Sequence, residues 1–220
     1  MLKRVLLGLI AVIFFSASLY AKSVEVKRVL EARDVVKNML TLPESAIPPL
    51  LFQKAEAVAI FPSVYKAGLI FGGRYGKGII VAKDNKGVWT NPVFVELISG
   101  SIGLQFGVSK SDIVLVFKTK ESLDGLINSK LTFGSDISIA AGPTGREAGV
   151  ASNLFLDTEV YIYAITKGLY IGVSLIGDSI IVDKEANKNF YKDDVSPTDI
   201  INNYKIKVPS VVKELDRVFN

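Results

Sequence analysis

The 220-residue chain contains no cysteine and no histidine. Disulfides, Cys/His metal centres and any mechanism built on a cysteine nucleophile or a histidine base are excluded. It also has no G-x-S-x-G elbow and no H-E-x-x-H pair, which removes the common hydrolase signatures. No repeat of fixed period and no low-complexity linker divides it. A sustained basic stripe is missing too. The net charge is +4, and without Lys3 and Arg4 it falls to +2, so nucleic acid is not an expected partner. No cofactor is implied.

What is present begins with a leader. Lys3 and Arg4 precede an almost unbroken apolar run from Val5 to Leu19. That run is short for a membrane span, which needs roughly 20 apolar residues. With "LYA-KS" as a cleavage site after Ala21, residues 1–21 read as a secretory signal peptide, and an uncleaved anchor is the alternative. No cysteine follows the run, so a lipid anchor there is excluded. The expected location is beyond the inner membrane, in the periplasm. Residues 22–220 suffice for one well-buried domain.

Val24 to Leu40 has helical periodicity. Lys27, Glu31, Asp34 and Asn38 fall on one arc and Val26, Val29, Leu30, Val36 and Leu40 on the other. Such a helix packs on its own core or lies on a membrane. Pro49 suits the start of a short helix ending near Ala57. A strand over Val58–Phe61 is expected to stop at Pro62. From there to Asp183 the texture is β: "GIIVAK", "VFVEL", "DIVLVFK", "DISIAAG", "EVYIYAIT" and "SIIVD" recur between turn signals. A helix is expected near Lys120–Ser129. "SPTDIINNY" places Ser196 as N-cap and Pro197 at the first helical position. Ser210–Phe219 reads as a last amphipathic helix. The fold class expected is α+β: a strongly twisted, mostly antiparallel sheet curling into a barrel or sandwich, flanked by N-terminal and C-terminal helices.

"FGGRYGKGII", Phe71 to Ile80, resembles a phosphate loop at first sight. A Walker loop needs a glycine where Phe71 stands and a hydroxyl where Gly78 stands, and a helix must follow. "IIVAK" follows instead, a strand pattern. The stretch reads as two strands meeting at glycines that permit a bend or bulge. Arg74 and Lys77 then lie near that bend, available to an anion or used structurally.

An ordered series of motifs carries a family resemblance. It comprises "IPPLLFQKAEAVAIFPSVYKAGLIFGGRYGKGIIVAK" (Ile47–Lys83), "GVWTNPVFVELISGSIGLQFGVSKSDIVLVF" (Gly87–Phe117), "FGSDISIAAGPTGREAG" (Phe133–Gly149) and "VYIYAITKGLYIGVSLIGDSIIVDKEANKNFY" (Val160–Tyr191). In this order they resemble the SYLF domain, a lipid-binding module. The resemblance implies binding of phospholipid head groups, and in some fungal members actin as well. A secreted bacterial chain is not expected to meet actin. In eukaryotic members an N-terminal amphipathic basic segment is associated with lipid binding. The corresponding bases here are Lys27, Arg28, Arg33 and Lys37.

Further candidates come from the residues. Arg146, in "AAGPTGREAG", sits on a glycine-freed loop suited to bidentate phosphate recognition, or ties that loop to Asp136 or Glu147. Trp89 is an interfacial anchor or a core residue beside Pro92 and Phe94. Lys66 joins a basic cluster with Arg74 and Lys77 or is merely solvated. The expected lipid-binding set is Lys66, Arg74, Lys77 and Arg146, meeting anionic lipids or a membrane surface. Asp112, Asp136, Asp157, Glu159, Asp178 and Asp183 mostly border strands; a converging carboxylate pair is the enzymatic alternative. The expectation is a non-enzymatic lipid-binding domain of the bacterial envelope, with a structural or protein-interaction domain as the rival.

Overall fold

The computed structural model describes residues 24–41, 47–68, 71–102, 107–123, 125, 130–143, 158–166, 169–170, 173–202, 206 and 208–219. The expected signal peptide, residues 1–21, lies outside them.

Helix α1 covers residues 24–41. Val29, Ala32, Val35, Val36 and Met39 are buried on the protein's own core, with Val26, Leu30 and Leu40 packed beside them. The apolar arc is therefore occupied from within. Helix α2 (Pro49–Lys54) starts with proline at its first position and buries Leu51 and Phe52.

Strands β1 (Ala57–Gly68), β2 (Phe71–Ala82), β3 (Val93–Ile102) and β4 (Gly107–Phe117) form an antiparallel block in the order β3-β2-β1-β4. β5 (Lys130–Thr132) and β9 (Ser179–Val182) extend it beyond β3. β7 (Val160–Thr166) extends it beyond β4, followed by β6 (Ile139–Ala141), the parallel partner of β7. β8 (Leu169–Tyr170) pairs with β7. The mixed sheet curls into a half-barrel, in keeping with the α+β expectation. In the stretch expected to be helical, Lys120–Ser129, a 3-10 turn spans Glu121–Leu123 and Gly125 is α-helical. Residues 124 and 126–129 lie outside the described set.

Pro62 does not end its strand, contrary to expectation. β1 runs through it by a bulge. Phe61 faces Ile113 and Val64 faces Ser111, so β1 carries one residue more than β4 across this interval. Proline has no N–H to offer a ladder and is tolerated at such a bulge. Ser63 takes the left-handed conformation (φ 63°), and its free N–H donates to Asp112 Oδ1 at 2.9 Å. The carboxylate on β4 thus satisfies the donor that the bulge releases.

The first of the C-terminal helices locks onto the sheet by specific polar bonds. Helix α3 (Lys184–Tyr191) is capped by Asp183, which accepts from Ala186 N–H. Its Asn187 amide is fully buried and pairs with both backbone groups of Phe94 at 2.9 and 3.0 Å. Tyr191 donates to the Pro92 carbonyl at 2.6 Å. Burial drives the Tyr191 phenol far above its ordinary value, so it remains a donor. Helix α4 (Pro197–Asn202) has the expected cap: Ser196 Oγ accepts from Asp199 N–H, and the Asp199 carboxylate reaches back to Ser196. Helix α5 (Val211–Phe219) buries Val211, Val212 and Leu215.

Candidate functional site

The glycine stretch is neither a phosphate loop nor a meeting of two strands. Phe71 to Ile80 pairs with β3 residue by residue without interruption, so it lies inside one strand. The glycines accommodate the β1 bulge instead. A Cβ on Gly78 would lie 2.3 Å from the Ile60 carbonyl oxygen and 2.5 Å from Phe61 Cδ1. One on Gly76 would lie 2.7 Å from Val64 Cγ2. Both positions lack a side chain because the bulged strand occupies that space.

Arg74 shares the face of Gly76 and Gly78, since side chains alternate along a strand. On that face the row Ser109–Lys66–Arg74–Ser99 crosses β4, β1, β2 and β3. Lys66 and Arg74 are direct cross-strand partners. Beside them opens a cavity of roughly 260 Å³. Lys66, Arg74, Ser109, Ser111 and Ser174 supply its polar lining, and Val64, Ile113 and Val173 its apolar part. Ser111 Oγ shares a 2.5 Å hydrogen bond with Thr166 Oγ1.

The charges here are unevenly matched. Arg74 Nη1 donates to the Asp178 carboxylate, and to the Ser174 carbonyl at 3.3 Å. Both partners of that ion pair are largely buried. Burial raises the Asp178 carboxyl above its usual range, and the Arg74 guanidinium only partly offsets this. Lys66 is exposed and makes no direct ion pair among the described residues, although its charge acts on Asp178 as a minor neighbour. Two cations against one carboxylate leave a positive excess beside serine hydroxyls. Such a setting has the charge and hydroxyl donors that suit an anion. Among the described residues no group of side chains has metal-binding geometry.

The other expected site residues are dispersed. Lys77 lies on the opposite face, where it bridges Glu96 (3.1 Å) and Asp183 (3.4 Å). It does not join the Lys66–Arg74 pair, because an odd separation from Arg74 puts it across the sheet. Burial works to lower its ammonium value, but Glu96 and Asp183 outweigh that and raise it. Arg146 lies outside the described residues. Arg28 is buried, bonds Asp183 at 3.1 Å and stacks 5.2 Å from the Phe94 ring centre, so it is a core residue and not a membrane contact. Arg33 is held by Asp34 and Glu214, tying α1 to α5. Lys27 pairs with Glu31, and Lys37 is exposed. Trp89 packs among Phe52 and Phe219 with Lys83 over its ring, so it serves the core rather than an interface.

Sequence reasoning missed Ser109, Ser111 and Ser174, and it missed Asp178 as the partner of Arg74. Strand register is the signal that assembles the first two with Lys66. The Arg74–Asp178 pair spans 104 positions and leaves no local trace.

Comparison with known proteins gives a consistent picture. A family model described as Ysc84, Las17-binding protein actin regulator, matches residues 98–220. The chain is 33% identical over 190 residues to Protein YSC84 of Saccharomyces cerevisiae, covering 84% of this chain and 40% of that protein. It is 30% identical over 197 residues to SH3 domain-containing YSC84-like protein 1 of Xenopus laevis, covering 86% of this chain and 58% of that protein. With the Homo sapiens protein of the same name the identity is 33% over 160 residues, covering 72% and 46%. The chain spans about two-fifths to three-fifths of the length of these relatives.

Proposed function

The chain belongs to the Ysc84 family, also called SYLF, and on that premise we propose that it is a non-enzymatic domain binding anionic lipid head groups. One observation carries this reading: Lys66 and Arg74 meet across β1 and β2 beside a serine-lined cavity with one positive charge in excess. A phosphate entering there meets the Lys66 ammonium and the hydroxyls of Ser109 and Ser111. Arg74 stays anchored by Asp178 and contributes its field more than its donors. The leader-like pattern of residues 1–21 supports assigning this activity to the bacterial envelope, in the periplasm.

A single unpaired lysine near an anionic surface contributes about 1 kcal/mol, so the affinity is modest and falls with salt. Co-sedimentation with anionic and with neutral vesicles tests the reading. Preferential pelleting with anionic vesicles is expected, and Lys66→Glu is expected to weaken it by about fivefold or more. Equal and negligible pelleting of the wild-type protein with both would refute it.

The relatives' names favour a second reading, protein docking. The matching family is described as Las17-binding, and a relative in Saccharomyces cerevisiae is named LAS seventeen-binding protein 3. On this reading the domain serves as an envelope scaffold without lipid. Recovery of one stoichiometric protein and no lipid from envelope extracts is its expected result.

A further inference from the structure

Strands β1 to β4 reach one common end of the sheet. On the face opposite the cavity, the last rows that cross all four strands are Lys110–Tyr65–Tyr75–Ile98 and Val108–Ala67–Gly73–Gly100, with the β2–β3 pair Phe71–Ile102 beyond them. Deeper rows on this face are covered: Phe94 lies under Phe190 and Arg28, and Lys77 is tied to Asp183. Among the described residues nothing comparable covers the end rows. Tyr65 and Tyr75 are about half exposed, and Val108 is 80% exposed. Exposed apolar residues normally occur singly, whereas these adjoin one another.

The residues that β1–β4 themselves contribute to this end carry charge of one sign. Residues 65–75 and 98–111 include Lys66, Arg74 and Lys110 and not one aspartate or glutamate. Asp178, from outside these stretches, answers Arg74. Lys110 pairs with no carboxylate among the described residues; its ammonium lies 5.8 Å from the centre of the Tyr65 ring. Carboxylates reappear one row further in, with Asp112 and with Glu96, which accepts from the Tyr75 hydroxyl at 2.9 Å and so orients that ring at the edge.

An aromatic and apolar edge that carries the unpaired Lys110, with no aspartate or glutamate in its outermost described rows, fits an anionic bilayer surface. Tyrosine rings suit the boundary between acyl chains and head groups. A lysine lays its stem on apolar surface while its ammonium reaches phosphate. We propose that the common end of β1–β4 dips into an anionic bilayer, with Val108, Tyr65 and Tyr75 entering the interface and Lys110 meeting lipid phosphates. This rests on the head-group reading and adds an orientation to it. The Ser109–Lys66–Arg74 row, on the other face at the same level, is brought to the phosphate plane.

Full-length protein is pelleted with vesicles of phosphatidylcholine alone and of equimolar phosphatidylcholine and phosphatidylglycerol. Val108→Asp and Lys110→Glu are each expected to weaken binding to the anionic vesicles at least about fivefold. Val88→Asp, at an exposed residue in the β2–β3 turn at the other end of the sheet, is expected to leave binding unchanged. Fluorescence gives a second readout. Val108→Trp is expected to be quenched by brominated acyl chains, while the wild-type protein, whose single tryptophan packs between Phe52 and Phe219, is not. If wild-type pelleting persists but neither Val108→Asp nor Lys110→Glu reduces it, or Val88→Asp reduces it equally, the insertion is overturned and the head-group reading stands. If the wild-type protein fails to pellet with anionic vesicles, both fall.

Discussion

Placing an alanine at Gly78 tests whether the glycines of β2 exist to admit the bulge of β1. The added Cβ would lie 2.3 Å from the Ile60 carbonyl oxygen and 2.5 Å from Phe61 Cδ1. Ordinary contact begins near 3.4 Å, so β1 must retreat by about an ångström. A backbone oxygen cannot rotate away, and both Ile60 and Phe61 are fully buried. Overpacking of this kind costs about 1–3 kcal/mol, and displacement of backbone puts Gly78→Ala at the upper end. For a chain of this size about 3 kcal/mol lowers the melting temperature by roughly 6–12 °C. Gly76→Ala meets Val64 Cγ2 at 2.7 Å, a side-chain methyl, and is expected to cost about 1–2 kcal/mol. Gly100→Ala has nothing within 4 Å and is expected to be neutral or to stabilise by up to about 1 kcal/mol. Thermal melts followed by circular dichroism rank the three variants. A Gly78→Ala protein melting within about 2 °C of wild type would refute the packing account.

Removing the Arg28 guanidinium strands Asp183 in the core, so Arg28→Ala is expected to cost about 3 kcal/mol; Lys77 at 3.4 Å and the Ala186 N–H hold it at the low end of the range for buried pairs. Urea midpoints measure it, and a change under about 1 kcal/mol would contradict the burial. Burial pushes the Asp183 carboxyl up, but the Ala186 N–H and Arg28 outweigh it and hold the group below its usual range. Its contribution is therefore complete above the unfolded value near pH 3.9 and fades as the pH falls through the folded value. Asp183→Asn is expected to flatten that part of the acid limb in urea titrations between about pH 5 and pH 2. Asp178 has the opposite sign. Its raised carboxyl makes stability decline as the pH climbs from the ordinary carboxylate value to the folded one, and Asp178→Asn is expected to remove that decline.

Local pattern determined much of this protein. The 3.6-residue period of Val29, Ala32, Val36 and Met39 dictates α1, because one apolar arc must face the core. "SPTD" dictates the start of α4, because the Ser196 hydroxyl and the Asp199 carboxylate satisfy each other's N–H groups within a few residues. Alternating and β-branched runs marked the strands. The same kind of reading stopped at Pro62 and divided β2 at its glycines. The donor released by the bulge is answered by Asp112, 49 positions away, and the glycines accommodate residues of another strand. The cavity was half legible. Lys66 and Arg74 stood out as cations near glycines, but only register makes them neighbours and puts Lys77 on the far side. Tertiary structure alone decided which cations are spent. Arg28 meets Asp183 across 155 positions and Arg74 meets Asp178 across 104, leaving Lys66 unpaired beside the serines among the described residues. Helix periods and caps arise from bonds within a few residues of chain, whereas charge pairing depends on which distant strands lie side by side.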